Sequence, residues 1–248
     1  MHASARLLRS ALWFPFLVSA LMLGAASLTP GDRTDAATTI GEQGPAASPG
    51  EPRSHLERAL GWDQAAQRWI NRHHHPIADW VLRGVSALGD GGAIWILTGV
   101  ALLVFGRGSA RITGALLLGA MLVADRLIGA PLAWLSHRTR PYLADPAIRH
   151  LGAAWAGSSF PSAHAHSVVI ATILLGSQYR RMAPALCLFA LLTLYSRPYL
   201  GMHYPLDTLG GAAIGLIVGL AARRVALLWQ AEARRRSNEQ GPGPRGPA

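Results

Sequence analysis

Ser196-Arg197-Pro198-Tyr199-Leu200-Gly201-Met202-His203-Tyr204-Pro205-Leu206-Asp207 joins two apolar runs, residues 182–195 and 206–222. Five residues separate Arg197 from His203, and three separate His203 from Asp207. The end of one helix and the start of the next can therefore bring all three to one place. Outward from this turn stand Pro161-Ser162-Ala163-His164 and, earlier, His137-Arg138-Thr139-Arg140-Pro141. Arginine stays charged at any pH and offers a planar fork of donors to phosphate oxygens, while histidine serves as nucleophile or proton donor near neutrality. By residue type this is a phosphate-handling constellation.

Composition puts it in a membrane. Of 248 residues, 50% are hydrophobic and only 15% charged, and the apolar residues fall in blocks of spanning or near-spanning length. Six such segments are predicted, at 11–28, 93–105, 112–135, 165–179, 182–195 and 206–222, which makes the fold an all-α integral membrane helical bundle of about six transmembrane helices. Residues 1–31 read as an N-terminal membrane anchor or signal peptide. Residues 32–54, rich in Gly, Pro, Ala and Ser, read as a disordered extracytoplasmic linker. The membrane domain is expected over 55–224 and a basic cytoplasmic tail over 225–248. Within the domain, 55–71 spaces apolar residues helically among charges and is expected on the membrane surface, with 76–88 as a half-helix leading in.

The net charge of +10 would suggest nucleic acid in a soluble protein. Here many arginines lie between apolar blocks as topology signals, so no nucleic-acid partner is expected. Arg6 and Arg9, Arg107 and Arg111, Arg180 and Arg181, and Arg223 and Arg224 fall on one side of a six-crossing arrangement. The positive-inside rule makes that side cytoplasmic and turns 136–164 and 196–207 outward. The arginines of those two stretches run against the rule, as a function needing cations outside would require. Cys187 is the only cysteine, so no intrachain disulfide forms.

These residues resemble the membrane-bound type 2 phosphatidic acid phosphatases, or lipid phosphate phosphatases. Their pattern runs Lys-x6-Arg-Pro, Pro-Ser-Gly-His and Ser-Arg-x5-His-x3-Asp, and the resemblance covers roughly residues 76–224. The third motif matches in full; Ala163 stands where glycine is commonest, and Ala133 stands where the first motif has its lysine. The resemblance implies an active site at the extracytoplasmic face. Arg126, two helical turns before Ala133, is a candidate for the missing cation, as are Arg138 and His137.

The chemistry follows from the residue types. His203 is the expected nucleophile, forming a phosphohistidine, with Asp207 one turn later to orient the imidazole. His164 is the expected general acid, then general base. Arg140 and Arg197 grip the phosphate, while Ser162 and the N–H groups from Ala163 onward add donors at a helix start. No metal or other cofactor is called for, because no Asp/Glu cluster lies near the motifs. Gly89-Asp90-Gly91-Gly92 reads as a break between helices and His73-His74-His75 as a solvated loop.

The expected activity is metal-independent hydrolysis of a membrane lipid phosphate, in a membrane protein of the bacterial inner membrane with its site facing outward. Undecaprenyl pyrophosphate, phosphatidylglycerol phosphate, phosphatidic acid and lipid A phosphate are the candidate substrates. A lipid phosphotransferase using the same site is one alternative; a non-catalytic lipid-binding or transport relative, on account of Ala133, is the other.

Overall fold

The computed structural model describes residues 55–155 and 157–239. The anchor and linker predicted for 1–31 and 32–54 lie outside these residues. The chain divides into two compact units, Met1–Ala65 and Ala66–Ala248. Nine α-helices are found among the described residues: α1 (His55–Arg72), α2 (Pro76–Leu88), α3 (Ala93–Phe105), α4 (Ser109–Leu122), α5 (Ala130–Ser136), α6 (Pro141–Ala144), α7 (Ala163–Gln178), α8 (Ala183–Tyr199) and α9 (Pro205–Glu239). The architecture is all-α, as predicted. A π-helical segment, Val123–Gly129, carries α4 into α5.

Ser109–Ala144 and Pro205–Arg236 are each long and apolar enough to cross a membrane, and α2 with α3, bent by 44° at their break, are so as a pair. With 16 and 17 residues, α7 and α8 fall short of the roughly 20 that a straight crossing takes. Leu188 and Leu191 on α8 and Leu209 and Ile217 on α9 are exposed. Such side chains are costly in water and at home among lipid tails. The chain is an integral membrane protein.

Local chemistry explains the start and length of α9. Pro205 occupies the first helical position, where its missing N–H is no loss, and Asp207 Oδ2 accepts a hydrogen bond from Tyr204 N at 2.8 Å. From Ala221 to Glu239 there is neither Gly nor Pro. The helix therefore absorbs most of the segment predicted as a tail, with Arg236 paired to Glu232 at 2.9 Å.

The core gathers Leu117, Ala124, Val168, Ile170, Leu174 and Ile214 from α4, the π-helical segment, α7 and α9. Gly211, Gly215 and Gly219, four residues apart, line the approach of α9 to α7. A Cβ at Gly215 would lie 2.7 Å from His166 O, and one at Gly219 would lie 2.8 Å from Ile173 Cδ1. Small residues at this spacing let two helices pack backbone to backbone. As a result the starts of α7 and α9 lie side by side, with Ser162 N donating to Asp207 O at 3.1 Å.

The second half of α1 buries a polar stripe. Gln67 Nε2 donates to Pro198 O at 2.8 Å, and Asn71 Nδ2 donates to Tyr199 O at 2.9 Å and to Arg149 O at 3.0 Å. Asn71 Oδ1 accepts from Arg149 N at 2.8 Å, while Trp69 on the same helix is exposed. The amides thus satisfy carbonyls where α8 ends, next to the Arg197 turn. Asn71→Ala strands several buried backbone groups and is expected to destabilise the protein by about 2–3 kcal/mol. Thermal unfolding in detergent checks this; an unchanged midpoint would refute it.

Candidate active site

The turn after α8 folds His203 back beside Arg197. Met202 N and His203 N both donate to Arg197 O, at 3.0 and 3.4 Å. Gly201 makes this possible at φ 78°, where a Cβ would stand 2.5 Å from Arg149 O.

His203 is held by both ring nitrogens. Nδ1 lies 2.6 Å from Ser159 O. A carbonyl only accepts, so Nδ1 carries the proton. Nε2 lies 3.3 Å from Arg140 Nη1. A guanidinium only donates, so Nε2 presents its lone pair. The two contacts agree on a neutral imidazole aimed at Arg140. Burial, then the positive charges of Arg197 and Arg140, holds its pKa well below the ordinary imidazole value.

Asp207 does not take the orienting position predicted for it. Its Oδ2 is 3.9 Å from His203 Nδ1. The carboxylate is instead occupied by Tyr204 N and by Arg138 Nη1 at 2.5 Å, and the Arg138 guanidinium stacks 4.0 Å from the Tyr204 ring centroid. At the third position of α9 the carboxylate reaches back to the N–H of Tyr204, the residue before the helix, and to Arg138. The Ser159 carbonyl makes the hydrogen bond to Nδ1, while Asp207 ties Arg138 to the start of α9 and keeps its Oδ2 3.9 Å from that nitrogen.

The remaining groups converge from distant parts of the chain. His164, second residue of α7, places Nε2 2.9 Å from Asp90 Oδ1 in the break between α2 and α3. Arg140 donates from Nη1 to Met202 O and from Nη2 to Ser158 O, each at 3.2 Å. Arg197 Nη1 donates to Ser86 Oγ on α2. Ser162 stands at the N-cap of α7, yet its side chain makes no capping bond. Ser162 Oγ, Arg140 Nε and Arg197 Nε are buried without a hydrogen-bond partner, and Ala163 opens the first turn of α7 beside them. Buried donors left without protein partners are what an anion satisfies. Among the described residues no three His, Cys, Asp or Glu side chains gather as ligands for a metal ion.

The PAP2 superfamily model matches residues 114–231, the stretch that holds Arg140, His164, Arg197, His203 and Asp207. Over that stretch the chain is similar to the PAP2 superfamily. It is 31% identical over 104 residues to undecaprenyl-diphosphatase BcrC of Bacillus subtilis (strain 168), covering 42% of this chain and 53% of that protein. It is 36% identical over 77 residues to the putative undecaprenyl-diphosphatase YbjG of Escherichia coli (strain K12), covering 31% and 37%. The chain thus spans about half the length, or less, of these curated relatives. The crystal structure of Aquifex aeolicus LpxE superposes with a TM-score of 0.57 at 25% identity, over 64% of this chain and 93% of that one. The transmembrane PAP2-type phosphatidylglycerolphosphate phosphatase of Bacillus subtilis shares the fold, with a TM-score of 0.57 at 22% identity over 69% and 87%.

Within the matched stretch the first-motif position, Ala133, lies on α5 and brings no cation. Arg126, predicted to reach across from two turns earlier, points elsewhere: its side chain is 73% exposed and pairs with Asp125 at 3.2 Å. The prediction assumed an unbroken α-helix. The π-helical segment Val123–Gly129 changes the register, so residues seven apart no longer share a face. His137 adopts a left-handed backbone with φ 43° and sits against Trp134, 6.1 Å between ring centroids. Arg138 is the extra cation the structure does tie to the motif residues, through Asp207. Accordingly, Arg126→Ala is expected to leave kcat, KM and thermal stability close to the wild type, because the pair is exposed and Asp125 also lies 3.9 Å from His166 Nε2. A stable Arg126→Ala protein with a raised KM would reverse this assignment.

The motif residues meet contacts that the motifs do not contain, from Asp90, Ser86, Ser158 and Ser159. Only Asp90 carried a usable signal: a carboxylate at a glycine-rich break in an apolar run.

Proposed function

We propose that this protein hydrolyses the phosphoanhydride or phosphate ester of a membrane lipid at the outer leaflet, through a phosphohistidine on His203. The observation that carries the reading is the neutral His203, with its Nε2 lone pair 3.3 Å from Arg140. His203 Nε2 attacks phosphorus while Arg140 and Arg197 hold the phosphate oxygens, with donors from Ser162 and the first turn of α7. The phosphorus–oxygen bond to the lipid breaks, and the leaving oxygen takes a proton from His164. His164, now neutral, takes a proton from water; the water oxygen attacks phosphorus, the nitrogen–phosphorus bond breaks, and inorganic phosphate leaves.

Undecaprenyl diphosphate is the first-choice substrate, since two similar proteins carry that activity in their names. The outward face is supported by alternation of helix ends. His164, Arg197 and His203 lie at ends of α7, α8 and α9 opposite Arg107, Arg111, Arg180 and Arg181, the charges expected in the cytoplasm. A bacterial inner membrane is the corresponding location.

Purified protein should release phosphate from undecaprenyl diphosphate faster than from phosphatidic acid, phosphatidylglycerol phosphate or a lipid A phosphate, and should keep its rate in excess chelator. Arginines, not a divalent ion, hold the phosphate in this reading. Activity lost in chelator and restored by magnesium would exclude the mechanism, and no phosphate release from any of the four lipids would exclude the function.

A further inference from the structure

The two histidines are gripped by opposite nitrogens and by partners of opposite kind. His203 gives Nδ1–H to a neutral carbonyl at Ser159, whereas His164 gives Nε2–H to the Asp90 carboxylate at 2.9 Å. A carbonyl fixes which nitrogen carries the proton but brings no full charge to the ring. A carboxylate on one nitrogen favours the doubly protonated ring and leaves the other nitrogen to donate. Two titratable groups in environments that differ in this way are suited to separate tasks, one as nucleophile and one as acid.

The chain spends four residues on placing this carboxylate. Gly89-Asp90-Gly91-Gly92 interrupts an apolar pair of helices that bend by 44° across it. A Cβ at Gly89 would stand 3.0 Å from His164 Cδ2, and Gly92 takes φ 69°. Gly89 lets the chain pass against the imidazole, and Gly92 turns it into α3. The charges facing His164 are otherwise Arg197 and Arg140, with the His203 and His166 rings nearby. Burial and then both arginines oppose a positive imidazole, and Asp90 is the carboxylate among these groups that favours one.

We infer that Asp90 is the positioning residue for the acid step: it fixes His164 with Nε2–H held and Nδ1 directed to the leaving oxygen, and supplies the negative charge that lets His164 carry a proton between two arginines. When Nδ1 has given its proton to the leaving oxygen, Nε2 keeps its own on Asp90. Nδ1 is then a free base for the incoming water. The inference rests on the phosphatase reading above.

The test compares leaving groups. kcat/KM reports the steps up to departure of the leaving group, so it is measured on an alkyl lipid phosphate, which needs a proton, and on p-nitrophenyl phosphate, whose phenolate needs little help. Asp90→Asn should lose about tenfold or more on the alkyl substrate and about threefold or less on the aryl one, a fraction of what general acids contribute. In a His164→Ala background the same change should add nothing. Equal losses on both substrates, or a further loss in that background, would make Asp90 structural and overturn the inference while leaving the phosphatase reading intact. A wild-type protein inactive on both substrates overturns both. Should Asp90→Asn fail to fold, Asp90→Ser removes the same charge and is read the same way.

Discussion

His203→Ala is expected to lower turnover by about 10⁴-fold or more, since loss of a nucleophile removes the covalent route itself. Rapid acid-free quenching of the wild type with labelled substrate should trap an acid-labile phosphohistidine, and the variant should trap none. The size of the effect follows from geometry. Ser159 O fixes the ring through Nδ1 at 2.6 Å, and Arg140 meets the opposite nitrogen at 3.3 Å, so no other side chain takes over the Nε2 position. The fold should survive, because the groups that shape the turn are backbone: Met202 N and His203 N on Arg197 O. A His203→Ala protein that unfolds at the wild-type temperature and still turns over near the wild-type rate would end the covalent mechanism.

Arg140→Lys should lower kcat/KM by roughly 10²-fold, the equivalent of about 3 kcal/mol or two charge-assisted hydrogen bonds. Charge is conserved in this variant, so the loss measures the planar fork. Arg140 uses Nη1 on Met202 O and Nη2 on Ser158 O, which pins the guanidinium between the His203 turn and the strand of chain before α7. Lysine has one ammonium on a flexible stem and cannot brace both segments while also meeting a phosphate. Both kcat and KM should suffer, since the same contacts align the nucleophile and bind substrate. A KM effect with kcat intact would limit Arg140 to ground-state binding.

The sequence alone brings the motif residues of the candidate site close together. Arg197, His203 and Asp207 sit within one short connection, and Arg140 and His164 flank the neighbouring apolar runs, so their convergence follows from the order of helices alone. The contacts that assign roles were not legible in this way. Asp90 lies 74 residues from His164, Ser159 lies 44 from His203, and Ser86 lies 111 from Arg197. Periodicity carries no information at those separations.

Two sequence expectations changed for local physical reasons. Asp207 was read as the partner of His203 from its i,i+4 spacing, but at the third position of α9 its carboxylate is taken by Tyr204 N and Arg138. Arg126 was read as facing the site from a seven-residue spacing that a π-helical segment breaks.

The sequence by itself determined the helical membrane bundle, because runs of apolar residues bounded by arginine and glycine leave the backbone no other way to satisfy its hydrogen bonds in lipid. It also determined which cations and imidazoles meet at one end of the bundle, because covalent connection holds the ends of α8 and α9 together. Only the tertiary structure decided which nitrogen of each histidine is free. That depends on which oxygen, the Ser159 carbonyl or the Asp90 carboxylate, the close packing of α7 and α9 and the bend between α2 and α3 bring within hydrogen-bond reach.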